Sequence, residues 1–144
     1  MPKEGQVLTK EELNAFQYGD PNEDPSHRDM REWLIGKVTD IATQAVQARD
    51  DHRKRSGLKR LPLIGHLIGR DDVEETLECV ADRMYNARCS LLWPSVQLTE
   101  VRDTLTTTMT KTIAPCWKRA STKADSAALM HLNGEINRLR RSIP

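Results

Sequence analysis

From Val73 to Leu91 the apolar residues Val73, Leu77, Val80, Met84, Ala87 and Leu91 recur at alternating spacings of four and three. That period is one stripe of an α-helix, since a half-buried strand would alternate every second residue. Just ahead of it, Leu61 to Ile68 is the densest apolar run of the chain. A helix this apolar along one side needs neighbours to cover it, so the stretch from Leu58 to Leu92 is expected at the centre of a helical core.

The rest of the chain supplies those neighbours. Ser26 reads as the N-cap of a long helix, with Asp29 near its positive end. Met30, Trp33, Leu34, Val38, Ile41, Ala42, Ala45 and Val46 carry its apolar face, and Gly57 suits its C-terminal stop. Its last two turns, Arg49 to Arg55, have no apolar stripe and are expected to project beyond the core. Pro62 opens a short apolar helix, Leu63 to Ile68, closed by Gly69. Asp71 or Asp72 caps the central helix, and Trp93-Pro94 ends it.

Ser95 or Thr99 starts a further helix with Leu98, Val101, Leu105, Met109 and Ile113 in phase. Its Thr-rich stretch, 104–110, has poor helix propensity, but the three-four spacing of the larger residues decides for helix over strand. Pro115 is expected to break it and leave Cys116 to Arg119 as a bend. Ser121 or Thr122 opens a last helix with Ala124, Ala128, Leu129, Leu132, Ile136 and Leu139 on one face.

The expected fold is therefore all-α, a compact bundle of about four main helices with a short apolar turn-helix and a short N-terminal helical arm. Thr9-Lys10-Glu11-Glu12 is a capping box that starts the arm's helix, with Leu13 and Phe16 as its docking residues. Two prolines, a glycine and three acids between Tyr18 and Pro25 end it. The chain divides into an acidic arm and linker, residues 1–25, and a single helical-bundle domain, residues 26–144.

At 144 residues with only six aromatics, the core must be mainly aliphatic. Cys79, Cys89 and Cys116 are odd in number and widely spaced, which argues against a disulfide framework and for a reducing compartment. No run approaches the ~20 apolar residues of a membrane span, and Met1-Pro2-Lys3-Glu4 does not open a secretory signal. The expectation is a soluble, intracellular protein without a transmembrane segment.

The net charge of +1 conceals blocks of alternating sign. Residues 1–26 hold two basic and six acidic side chains, and residues 27–60 nine and five. Residues 61–110 hold four and eight, and residues 111–144 seven and two. Such segregation either neutralises itself inside the fold or serves an external partner.

Motifs for chemistry are sparse. His27, His52, His66, His131 and the three cysteines show no Cys-x-x-Cys or His-x-x-x-His pair, so no metal is expected. Gly-x-Ser-x-Gly, a phosphate loop and a dinucleotide fingerprint are all missing, and Gly65-His66-Leu67-Ile68-Gly69 lacks the preceding strand and the lysine of a nucleotide cradle. The expectation is a non-enzymatic protein without a cofactor.

The strongest functional feature is basic. Arg49, Arg53, Lys54, Arg55, Lys59 and Arg60 could line a helix end and meet successive phosphates, extended by Lys118, Arg119, Arg138, Arg140 and Arg141. Aromatic interleaving is absent, so the expected target is nucleic-acid backbone, duplex RNA ahead of DNA. The competing reading is a protein-interaction adaptor of the viral or phage accessory type, binding a host factor through Trp33, Trp117, Leu13 and Phe16 with its charge blocks paired internally. A homodimer is also expected, because an overhanging rod would leave apolar edge for a second copy to cover.

Overall fold

The computed structural model describes residues 23–55, 72–120 and 122–144. Lys59, Arg60, Leu13, Phe16, the capping box at Thr9 and the apolar run from Leu63 to Ile68 lie outside the described residues. The described elements are α1 (Pro25–Arg55), α2 (Asp72–Leu91), α3 (Leu98–Thr107), a π-helical segment (Thr108–Ile113), α4 (Ala114–Trp117) and α5 (Lys123–Ser142), with no strand among them.

Contacts at the helix ends give the topology. Arg31 near the start of α1 donates to the Leu91 carbonyl at the end of α2, and Arg53 at its far end meets Glu74 at the start of α2. α1 and α2 are thus antiparallel along almost their whole length, the most extensive interface of the fold. The chain returns through α3 and α4, whose Cys116 thiol donates to the Asp72 carbonyl at 3.6 Å. α5 then runs back beside α1, with His131 opposite Gln44 and Asp125 opposite His52. The result is an up-down-up-down bundle of neighbouring antiparallel helices.

The core is aliphatic, and the central stripe lies inside it. Val73, Leu77, Val80, Met84, Ala87 and Leu91 of α2 are all buried. They pack with Leu34, Val38 and Ile41 of α1, Val101 and Leu105 of α3, and Leu129, Leu132 and Ile136 of α5. Trp33, assigned to the apolar face of α1 by its spacing, instead points outward at 44% exposure. The helix turns it past the edge of the stripe, which is centred on Leu34, Val38 and Ile41.

Several local expectations change. The first turn of α1 is capped by Asp24, whose carboxylate accepts the Ser26 N–H at 2.8 Å, rather than by Ser26. α3 starts at Leu98 with Gln97 as its cap residue and no side-chain cap bond, so neither Ser95 nor Thr99 fills that role. Thr122 does cap α5, its hydroxyl accepting the Asp125 N–H at 3.1 Å.

Pro115 does not break the helix. The π-helical segment precedes it directly and α4 carries it in its first turn. A proline lacks the N–H for the bond to the carbonyl four residues back, and its ring crowds that carbonyl. Widening the preceding turns relieves the crowding and lets the chain continue. The Thr-rich stretch is helical because its hydroxyls are satisfied locally. Thr104, Thr106, Thr108 and Thr110 each donate to the carbonyl four residues back, which allows Thr108 to be fully buried.

The end of α1 does not project. His52 is 4% exposed and packs against the start of α5, so the last turns are held from two sides. With that, the uncovered apolar overhang that suggested self-association is absent from the described residues.

Candidate interaction surfaces

The basic turns of α1 are placed by the helix period against the acidic starts of two neighbouring helices. α2 opens with Asp72, Glu74 and Glu75, where carboxylates favour the positive end of the dipole. α1 arrives antiparallel, so its C-terminal arginines fall level with those acids. Arg53 reaches Glu74 through Nε and Glu78 through a terminal nitrogen at 3.0 Å. The Glu74 hydrogen bond raises the pKa of Arg53 above the ordinary guanidinium value. Arg49 lies 3.6 Å from Glu78 and 3.4 Å from Asp50.

A second cluster ties α1 to α5. Asp125 is 3% exposed, and one of its oxygens accepts from His52 Nδ1 at 2.9 Å and from Arg55 at 2.6 Å. Burial alone would raise this carboxyl, but hydrogen bonds from Arg55, His52 and Thr122 outweigh it and hold the pKa below the usual aspartate value. A buried acid is thus kept ionised by the helix end it anchors.

The opposite end of the bundle repeats the device. Arg31, itself buried, donates to Glu23 at 2.9 and 3.1 Å and to the Leu91 carbonyl at 3.0 Å. His27 joins Glu23 at 2.6 Å and the Val96 carbonyl at 3.2 Å. Burial would raise the Glu23 carboxyl; the bonds from Arg31 and His27 lower it overall. These residues were not singled out from the sequence as a cluster. Only the i, i+4 and i+8 spacing of Glu23, His27 and Arg31 signals it; α1 sets His27 and Arg31 one turn apart, and Glu23 meets them from the bend just before the helix.

The candidate phosphate contacts therefore divide. Arg49, Arg53 and Arg55 are engaged by carboxylates, whereas Lys54 is exposed and makes no ion pair among the described residues. Lys118 and Arg119 come to the same end of the bundle; Arg119 lies 3.9 Å from Asp72, with both side chains well exposed. Lys123, at the start of α5, joins them. Arg138, Arg140 and Arg141 sit at the far end of α5, about 25 Å away at 1.5 Å per residue. Arg138 pairs with Glu135, Arg140 donates to the side-chain amide oxygen of Asn137, and Arg141 is exposed. The nine described positions among the eleven basic residues read from the sequence do not form one continuous face.

Of the aromatic candidates, Trp117 is at the basic end, its indole N–H donating to the Ser126 hydroxyl at 2.9 Å. Trp33 lies in the third turn of α1, beside a groove of about 260 Å³ between α1 and α5. Lys37 places its ammonium 5.7 Å from the Trp33 ring centre, and Ile41, Leu139 and Arg138 also line the groove.

Among the described residues no group of three or more His, Cys, Asp or Glu is arranged to hold a metal ion. No described helix is long and apolar enough to cross a membrane. Comparison of the chain with protein-family models, with curated proteins and with solved structures gives no match.

Proposed function

We propose that this protein is a non-enzymatic helical accessory protein that works by protein contact, its charge blocks serving chiefly to hold its own helices in register. The observation that carries this reading is the engagement of Arg49, Arg53 and Arg55 by Glu74, Glu78 and Asp125. An arginine already bridging two helices would have to give up its carboxylate to bind a phosphate, and the orphaned acid would repel the polyanion. The working surface on this reading is the Trp33 side of α1, where a large aromatic stands exposed beside a partly apolar groove. Exposed tryptophan next to arginine and aliphatic side chains is the composition that dominates protein interfaces. Self-association belongs to the same proposal.

A second reading has its own observation in support. Lys54, Lys118 and Lys123 come from separate segments, lie at one end of the bundle and make no ion pair among the described residues. They could rest on the backbone of duplex RNA, or of DNA, without disturbing the internal pairs. An electrophoretic shift series with duplex RNA, duplex DNA and single strands at two salt concentrations separates the readings. Protein contact predicts no shift at moderate salt. A shift that weakens steeply with salt, and that Lys54→Ala, Lys118→Ala and Lys123→Ala together abolish, would replace it with the nucleic-acid reading.

A further inference from the structure

The outward side of α1 carries residues that the fold itself does not use. Trp33 is exposed, and Asp40, exposed less than one turn beyond Lys37 with its ring contact, makes no ion pair among the described residues. Gly36 lies within the helix, where glycine is disfavoured, and a Cβ there would meet nothing within 4 Å. Packing inside the chain therefore gives no reason for a glycine at this position.

The spacing of these residues has a symmetry. In an antiparallel helix pair related by a two-fold axis, levels equidistant from the axis face each other. An axis midway between Lys37 and Asp40 sets Lys37 of each copy against Asp40 of the other. The same axis sets Trp33 level with Gln44, and Gly36 level with Ile41. Each step is consistent with an interface. Opposite charges meet twice, the indole finds an uncharged side chain, and the missing side chain at Gly36 lets the backbones approach at the level where Ile41 is turned into the core. Glu135 and Arg138, which flank the groove on α5, again contribute one charge of each sign. A surface that balances its own charges in this order fits a copy of itself better than a partner of either net sign.

We infer that α1 pairs antiparallel with α1 of a second copy, about a two-fold axis midway between Lys37 and Asp40, with Trp33 seated towards the groove between α1 and α5. This rests on the reading of the Trp33 face as a protein-contact surface and names its occupant.

The test is sedimentation over a range of protein concentrations, with thermal melting as the control for folding. The wild-type chain shows a monomer–dimer equilibrium. Lys37→Asp and Asp40→Lys each weaken the dimer by about tenfold or more, because every substitution opposes like charges at two symmetry-related places. The double variant Lys37→Asp with Asp40→Lys recovers the wild-type association, since the register is kept and the charges are exchanged. Gly36→Leu, for which the fold has room, removes the dimer without lowering the melting temperature. A chain that is monomeric throughout overturns the inference. So does a dimer indifferent to the single charge changes, or one that the double exchange fails to restore. Loss of the dimer in this assay leaves open capture of a different protein on the Trp33 face, whereas failure of the protein-contact reading shows separately, as salt-sensitive duplex binding.

Discussion

Asp125→Ala is the most revealing single change, because one carboxylate links the end of α1 to the start of α5. In the wild type it accepts from His52 at 2.9 Å and from Arg55 at 2.6 Å. Alanine removes the acceptor of the His52 Nδ1 bond in a place reached by almost no water. A hydrogen bond to a charged group contributes about 1.5–3 kcal/mol. The Arg55 side chain is 41% exposed and rehydrates once released, so its bond adds only a fraction of that range. The sum is about 2–3 kcal/mol, which for a chain of this length lowers the melting temperature by roughly 5–10 °C. The thermal melt followed by circular dichroism reads it directly. Asp125→Asn keeps the shape and loses the charge, and falls between the two. The pH dependence has a fixed sign. The folded carboxyl lies below its ordinary value of 3.8, so its contribution is complete above that value and is lost as the pH falls through the folded one. The melts of wild type and Asp125→Asn therefore converge in acid. An Asp125→Ala protein that melts with the wild type at neutral pH would show that the cluster does not join the helices.

Three further outcomes follow from the packing. The far-ultraviolet circular dichroism spectrum is dominated by helix, and a strand-dominated spectrum would contradict the helical reading of the Thr-rich segment. Leu77→Ala, in the middle of the buried stripe of α2, costs about 2–5 kcal/mol through lost burial and a residual cavity, while Asp50→Ala on the half-open side of α1 changes stability little; chemical denaturation of the two variants side by side distinguishes them. Glu23→Ala withdraws two bonds from buried Arg31 and lowers stability by about 1–3 kcal/mol, and an unchanged denaturation midpoint would mean that Arg31 relies on the Leu91 carbonyl alone.

The helices were legible in the sequence because the core is aliphatic and periodic. Leu77, Val80, Met84, Leu105, Leu129 and Ile136 fall where the three-four spacing puts them, and all are buried. What periodicity does not carry is the pairing between helices. The turns from Arg49 to Arg55 lack an apolar stripe and so read as solvent-bound, yet they are packed by ion pairs with α2 and α5. Nothing in the local sequence shows that His52 meets Asp125, because the partners lie on helices that come together only in the bundle. Trp33 departs in the opposite sense, grouped by its spacing with the apolar face while its angle on the helix places it outside. Pro115 is a case of local chemistry overridden, since neighbouring helices hold the chain on course and the π-helical turns absorb the proline. Of the candidate site, the basic residues were visible individually, and the division at the end of α1 between carboxylate-paired Arg49, Arg53 and Arg55 and outward Lys54 was not.

That division is the central claim, and the melting of two variants tests it most directly. Arg53→Gln combined with Arg55→Gln removes the cations that meet Glu74, Glu78 and Asp125, whereas Lys54→Gln removes a neighbouring cation with no ion pair among the described residues. The double variant is expected to melt well below the wild type, and Lys54→Gln to melt with it. Equal melting temperatures for all three proteins would contradict the account, since the arginines at the end of α1 would then be dispensable to the fold and available for an external partner.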